Sequence, residues 1–103
     1  MGYCKHHAIL VTDVDEVQIR KMHKAAQKIF KHQLVSEIVP AISNGYITFM
    51  IAPDGSKEGW ETSNEHDDKR EKFFRYLANN RLRPDIVEVW YDENGKSGIV
   101  RGM

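Results

Sequence analysis

Two apolar runs, one from Leu34 to Ile42 and one from Tyr46 to Ala52, flank an Asn44-Gly45 pair. Asn-Gly between alternating apolar runs is the strongest short-range hairpin signal, because both central residues of a type I′ turn need positive φ. With Asn44 and Gly45 as a two-residue turn, Ser43 faces Tyr46, Ile42 faces Ile47, Pro40 faces Phe49 and Ile38 faces Ile51. Strand side chains alternate, so this register sorts the hairpin into two sides. One collects Leu34, Ile38, Ile42, Ile47, Phe49 and Ile51 and reads as a core face. The other collects Val35, Glu37, Val39, Tyr46, Thr48 and Met50 and is mixed.

The rest of the chain alternates between the two periods. Ala8 to Thr12 is a short β-branched-rich segment, which suits a buried central strand. From Val14 to about His32, Ile19, Met22, Ala26, Ile29 and Phe30 recur at three and four and predict an amphipathic helix. Thr12 or Asp13 is expected to cap it, with Asp15 or Glu16 as capping-box partner. Ala52-Pro53-Asp54-Gly55-Ser56 is turn chemistry, and Trp60 is expected to anchor the loop that follows. A second helix is predicted from Thr62 or Ser63 to about Asn80, opened by a Thr62/Glu65 capping box. Its stripe is His66, Arg70, Phe73 and Leu77, widened by Phe74 and Tyr76. Ile86 to Tyr91 predicts a last strong strand. Asn94-Gly95 then turns the chain so that Glu93 faces Lys96, Trp90 faces Ile99, and Ile99 to Arg101 returns as a short terminal strand.

Strand, helix, strand, strand, helix, strand is the split βαβ order. The expected fold is therefore α+β: a single ferredoxin-like βαββαβ domain spanning 1-103, a two-layer sandwich with an antiparallel sheet and a possible short extra C-terminal strand. Right-handed crossovers place both helices on one side, with the first and third strands central. The other side of the sheet is then open. It is expected to carry Glu37, Tyr46, Thr48 and Met50 from the hairpin and His6 from the first strand. The last strand adds either Glu88 with Trp90 or Val87 with Tyr91.

Composition narrows the function classes. Fifteen basic and fifteen acidic residues balance in 103, and 41% of the residues are hydrophobic, so the signature of a disordered chain is absent. The neutral balance weighs against a dedicated nucleic-acid binder, which carries a basic excess to neutralise phosphates. Cys4 is the only cysteine, which excludes an intramolecular disulfide or a thiolate zinc site and points to a reducing, cytoplasmic compartment. The apolar run in MGYCKHHAILV is too short for a signal segment or membrane span.

Candidate chemistry is sparse. His6, Glu37, Tyr46 and Trp90 are expected to share the open side, and a histidine beside a carboxylate and a phenol is a proton-transfer set. The first helix gathers Arg20, Lys21, Lys24, Lys28 and Lys31 with no acid between Gln18 and His32. That face reads as solvated, with a ligand or partner surface as the alternative. His6 and His7 are adjacent and point to opposite sides, and no metal-ligand spacing links them to His23, His32 or His66. Gly55-Ser56-Lys57-Glu58-Gly59 lacks the ending of a Walker loop, and no nucleophile signature surrounds Cys4, so no cofactor is implied. Asn44 to Phe49 resembles the third-strand signature of RNA-recognition motifs, but Thr48 stands where a stacking aromatic is expected and Phe49 points to the core.

Ser36-Glu37-Ile38-Val39-Pro40 with Asn44-Gly45-Tyr46, the stretch Ile51 to Trp60, and the opening His7-Ala8-Ile9 to Thr12 resemble small, mostly bacteriophage-encoded proteins of unassigned function. The resemblance implies phage or prophage origin and expression in a host cytoplasm, and it transfers no catalytic residue. The expected function is a non-enzymatic interaction or assembly protein, a homodimer acting through its open sheet side, with a host protein as a further partner. Two alternatives are a small enzyme resembling dimeric α+β-barrel proteins, with a pocket lined by His6, Tyr46 and Trp90, and a single-stranded RNA binder.

Overall fold

In the computed structural model, which describes residues 3–103, the alternation around Ala8 to Thr12 extends both ways and forms β1, Lys5–Asp13. The elements that follow are α1 (Glu16–Phe30), β2 (Val39–Pro40), β3 (Ile47–Ile51), α2 (Glu61–Asn79), β4 (Asp85–Asp92) and β5 (Ser97–Gly102). A 3-10 turn, His32–Leu34, lies between α1 and β2. The strands form one antiparallel sheet in the order β2-β3-β1-β4-β5, so the chain is α+β with a five-stranded sheet and two helices.

The registers decide which side of each strand faces the core. Ile9 pairs with Ile51 and with Glu88, and Val11 pairs with Phe49 and with Ile86. The apolar members of these pairs meet Ile19, Met22, Ala26 and Phe30 of α1 and Phe73, Phe74 and Leu77 of α2 in a single core. The three-and-four spacing of the α1 stripe thus serves the purpose it predicts. Side chains one position along β1, β3 and β4 point the other way.

Helix starts differ from the capping expectation because side-chain geometry picks other residues. Asp13 Oδ1 accepts from the amides of Val14 (2.7 Å) and Asp15 (3.0 Å), which turns the chain before the helix begins. Asp15 is the N-cap, its Oδ1 accepting from Gln18 N at 3.1 Å. At α2 the N-cap is Trp60, with no side-chain cap bond, and the Thr62/Glu65 box does not form because Thr62 is already inside the helix. Trp60 is 51% exposed with the Lys57 ammonium 5.8 Å from its ring, so the indole does not anchor the loop against the core.

Both hairpins are longer than a two-residue turn. In the first, Ala41 N donates to Tyr46 O at 2.8 Å and Pro40 faces Ile47, leaving a four-residue loop in which Asn44 (φ 64°) and Gly45 (φ 70°) both take positive φ. A register moved by two residues preserves the sides of a strand, so the core face survives except at Ile42, which sits in the loop at 107% exposure. An extra residue separates the Val35–Ile51 bridge from the Pro40–Ile47 pair. Ser36 accommodates it: its amide donates to Met50 O (2.9 Å), and its hydroxyl accepts from Met50 N (2.8 Å) in place of a carbonyl. That bulge turns Val35 toward the core, away from the side shared by Val39 and Met50.

In the second hairpin Asp92 N donates to Lys96 O at 3.0 Å across the three-residue loop Glu93 to Gly95, with Gly95 at φ 78°. This register differs by one residue from the expected one, which reverses the side: Ile99 faces Val89, not Trp90. A bulge beyond it restores Arg101 opposite Glu88. Asp92 Oδ1 accepts from the amides of Asn94 and Lys96, both at 2.9 Å, which braces the loop.

The N-terminal segment is tied to this hairpin. Tyr3 donates its hydroxyl to the Asp92 carboxylate, and its carbonyl accepts from Glu58 N at 2.8 Å. The hydrogen bond to Asp92 pushes the Tyr3 phenol up from 10.0 to about 12, and the same bond holds the Asp92 carboxyl below its ordinary value. The sign follows by linkage. The Tyr3 contribution to stability is complete below the ordinary phenol value and lost as pH rises through about 12. The Asp92 contribution is complete above the ordinary carboxyl value and lost as pH falls through the depressed one. Absorbance titration at alkaline pH is expected to show one of the four tyrosines ionising near 12. Asp92→Asn should return that phenolate to about 10; an unchanged titration would refute the link.

Candidate functional site

The side of the sheet turned away from the core is organised in rows across the strands. Ala8 faces Val89, which faces Ile99. In the next row Met50 faces Leu10, which faces Val87. Neither row holds an ionisable side chain. Leu10 is 43%, Met50 37% and Ile99 74% exposed. At one end lie Thr12 and Thr48, hydroxyls 2.8 Å apart, with Val39 beside them. At the other end His6 and Tyr91 stack obliquely with ring centroids 5.2 Å apart. The centre of this side is therefore apolar and its ends polar.

The expected open-side residues separate into two groups. His6, Thr48 and Met50 lie on this side by strand register, and Tyr46 stands just before β3, outside the paired residues. Trp90 does not: it pairs with His7, on the core side, where the Lys5 ammonium stands 4.3 Å from its ring. Val87 and Tyr91 take the outward positions of β4 instead. Gly98 is Trp90's cross-strand neighbour, and a Cβ there would come within 2.5 Å of the indole nitrogen. Glu37 also leaves the open side. It follows the Ser36 bulge at the sheet edge and lines a groove with Ile19, Arg20 and His23 of α1.

The proton-transfer set therefore does not assemble within one chain. His6 lies at the start of β1, whereas Tyr46 follows the Asp13–Ile47 pair at its far end, roughly 25 Å away at ~3.3 Å per residue. Trp90 and Glu37 both lie off the open side. The basic helix face is divided too. Arg20 is held by Glu16 at 2.9 Å, Lys21 and Lys24 are exposed, and Lys28 and Lys31 line cavities beside α2.

Sequence reasoning missed a charged cluster under the core side of β4. Glu88 is buried, and two arginines and a histidine converge on it. His7 Nδ1 lies 3.2 Å from Oε2, the Arg70 Nε of α2 lies 3.4 Å from Oε2, and the Arg101 Nε of β5 lies 3.0 Å from Oε1. The His7 nitrogen is the donor, since a carboxylate only accepts. The two arginine contacts are ion pairs without the alignment of hydrogen bonds: Arg70 Nε and Glu88 Oε1 have no such partner. Arg70 is also paired with Asp67, and the Arg101 guanidinium covers the Phe74 ring at 5.2 Å. Arg70 within an apolar helical stripe and Glu88 within IVEVWY were the available signals, since a charge in a buried strand requires a partner.

Among the described residues, no group of three or more His, Cys, Asp or Glu side chains is arranged to hold a metal ion. No described helix is long and apolar enough to cross a membrane. No family model matches the chain, and neither a curated protein nor a solved structure matches it significantly.

The cluster makes a stability test. Arg70→Met leaves Glu88 short of one counter-charge and should cost about 3 kcal/mol in urea unfolding. Glu88→Leu should cost a comparable amount, whereas the double variant should lose less than the sum by at least ~1 kcal/mol. Strict additivity would refute the coupling.

Proposed function

We propose that this chain is a ferredoxin-like interaction protein with both helices on one side of its sheet, working as a homodimer whose two open sheet sides face each other. The observation that carries the reading is the pair of uncharged rows, Ala8-Val89-Ile99 and Met50-Leu10-Val87, at the centre of the sheet side turned away from the core, with Leu10, Met50 and Ile99 exposed. Burial of apolar surface is worth about 25 cal/mol per Å², so two such sides gain free energy by meeting. A two-fold axis lets one patch serve as its own complement, and the His6/Tyr91 and Thr12/Thr48 ends supply a polar rim. The resemblance to phage-encoded proteins makes a host protein the competing occupant of the same side.

Sedimentation equilibrium distinguishes them. The chain is expected to be a dimer at tens of micromolar. Leu10→Lys should raise the dimer dissociation constant at least about 100-fold, roughly 2.8 kcal/mol, because a charge is placed at the centre of the contact. Lys24→Glu, on the exposed face of α1, should leave it unchanged. A strict monomer at that concentration would overturn the homodimer and leave the face to another protein.

A further inference from the structure

On the helical layer a second surface has a different character. A groove of about 360 Å³ runs between α1 and α2, lined by Ala25, Lys28 and Ile29 on one wall and Lys69, Lys72 and Tyr76 on the other. We propose that this groove binds a small organic anion that joins an apolar body to a phosphate or carboxylate group.

Three features argue for that ligand. First, the lining contains three ammonium groups and no acid, and none of the three lysines forms an ion pair among the described residues. Like charges gathered around one concavity repel one another, and an anion placed between them relieves the repulsion. In a chain of zero formal net charge, three cations lining a groove that contains no acid are a local departure rather than a general basic bias. Second, the floor is apolar. Ile29 and Tyr76 are partly buried against the core, so a ligand's hydrocarbon or aromatic part meets packed side chains while the lysine heads reach its charged end. Third, the volume is that of a small-molecule site rather than of an extended polymer track.

The neighbouring cavity shows which end takes the charge. It is about 270 Å³, shares Lys69, and adds Lys31 and His66, but it also contains Asp54 and Glu65. The His66 Nδ1 is committed there: Thr62 O lies at 2.9 Å and Asp54 Oδ2 at 3.5 Å, both acceptors, so Nδ1 carries the proton. That cavity is mixed in sign and internally paired, whereas the lysine groove is not. The anionic group therefore belongs among Lys28, Lys69 and Lys72. The groove lies on the helical layer, apart from Leu10 and Met50, so this inference does not depend on the dimer.

The test is a ¹⁵N chemical-shift titration of the full chain with octyl phosphate below its micellar concentration. Inorganic phosphate and octanol are run in parallel. The expected result is saturable shifts at Ala25, Lys28, Ile29, Lys72 and Tyr76, with affinity at least about tenfold tighter than for either half of the molecule. Lys28→Gln/Lys69→Gln/Lys72→Gln should weaken binding at least tenfold, Lys28→Gln alone should weaken it measurably, and Lys21→Gln/Lys24→Gln should leave it unchanged. Equal binding of octanol would overturn the anion assignment, and equal weakening by the Lys21 and Lys24 changes would reduce it to general electrostatics. Shifts confined to Leu10, Met50 and Ile99, or tighter capture of polyglutamate than of octyl phosphate, would also overturn the proposal.

Discussion

A sheet with its core on one side turns its other side outward, and the chemistry of that outward side is the constraint the rest of this structure is arranged around. Ile9, Val11, Phe49, Ile51 and Ile86 are satisfied by the helical stripes of α1 and α2. Ala8, Leu10, Met50, Val87, Val89 and Ile99 alternate with them on the other side, where Leu10, Met50 and Ile99 are exposed, Val87 and Val89 half-buried, and Ala8 buried. In a half-solvated antiparallel sheet those positions would be polar. Here the alternation is apolar on both sides at the centre and polar only at the ends, so water is a poor partner for the middle of the sheet.

The choice of side in β4 depends on one carboxylate. Ile86-Val87-Glu88-Val89-Trp90-Tyr91 is apolar at almost every position, so hydrophobicity alone scarcely distinguishes its two faces. Glu88 breaks the tie. Turned toward α2 it meets Arg70, with Arg101 arriving from β5 and His7 from β1. A carboxylate at the centre of the open side would instead disrupt the apolar rows. The cluster links four elements, and the β5 bulge that returns Arg101 opposite Glu88 belongs to the same arrangement. Replacing a buried ion pair with apolar groups often costs little; the specific contribution of this one is to fix which way β4 faces.

Much of the fold was legible because its signals are local. Period and spacing located every strand and both helices, and the two Asn-Gly pairs marked both hairpins. What local pattern could not supply was loop length. Asn44-Gly45 occupies the end of a four-residue loop and Asn94-Gly95 the end of a three-residue one, and the second displacement is odd, which moved Ile99 to the opposite side. The Ser36 hydroxyl replacing a carbonyl is a bulge with no sequence signature, and it redirected Val35 and Glu37. Of the expected site, His6, Thr48 and Met50 lie on the open side, and Tyr46 precedes β3. Trp90 does not, because its parity is set by Glu88, a long-range partner choice that no window of residues contains. The lysine groove was half visible: the α1 cations stood out, but that Lys28 would meet Lys69 and Lys72 rather than the acidic start of α2 required the packing of the helices.

Whether a second copy covers the open side is answered most directly by an isotope-filtered nuclear Overhauser experiment on an equal mixture of ¹³C-labelled and unlabelled chains. The account predicts intermolecular contacts joining the methyl groups of Leu10, Met50, Val87 and Ile99. A spectrum without intermolecular contacts under conditions of high concentration, or with contacts confined to α1 and α2, would contradict it.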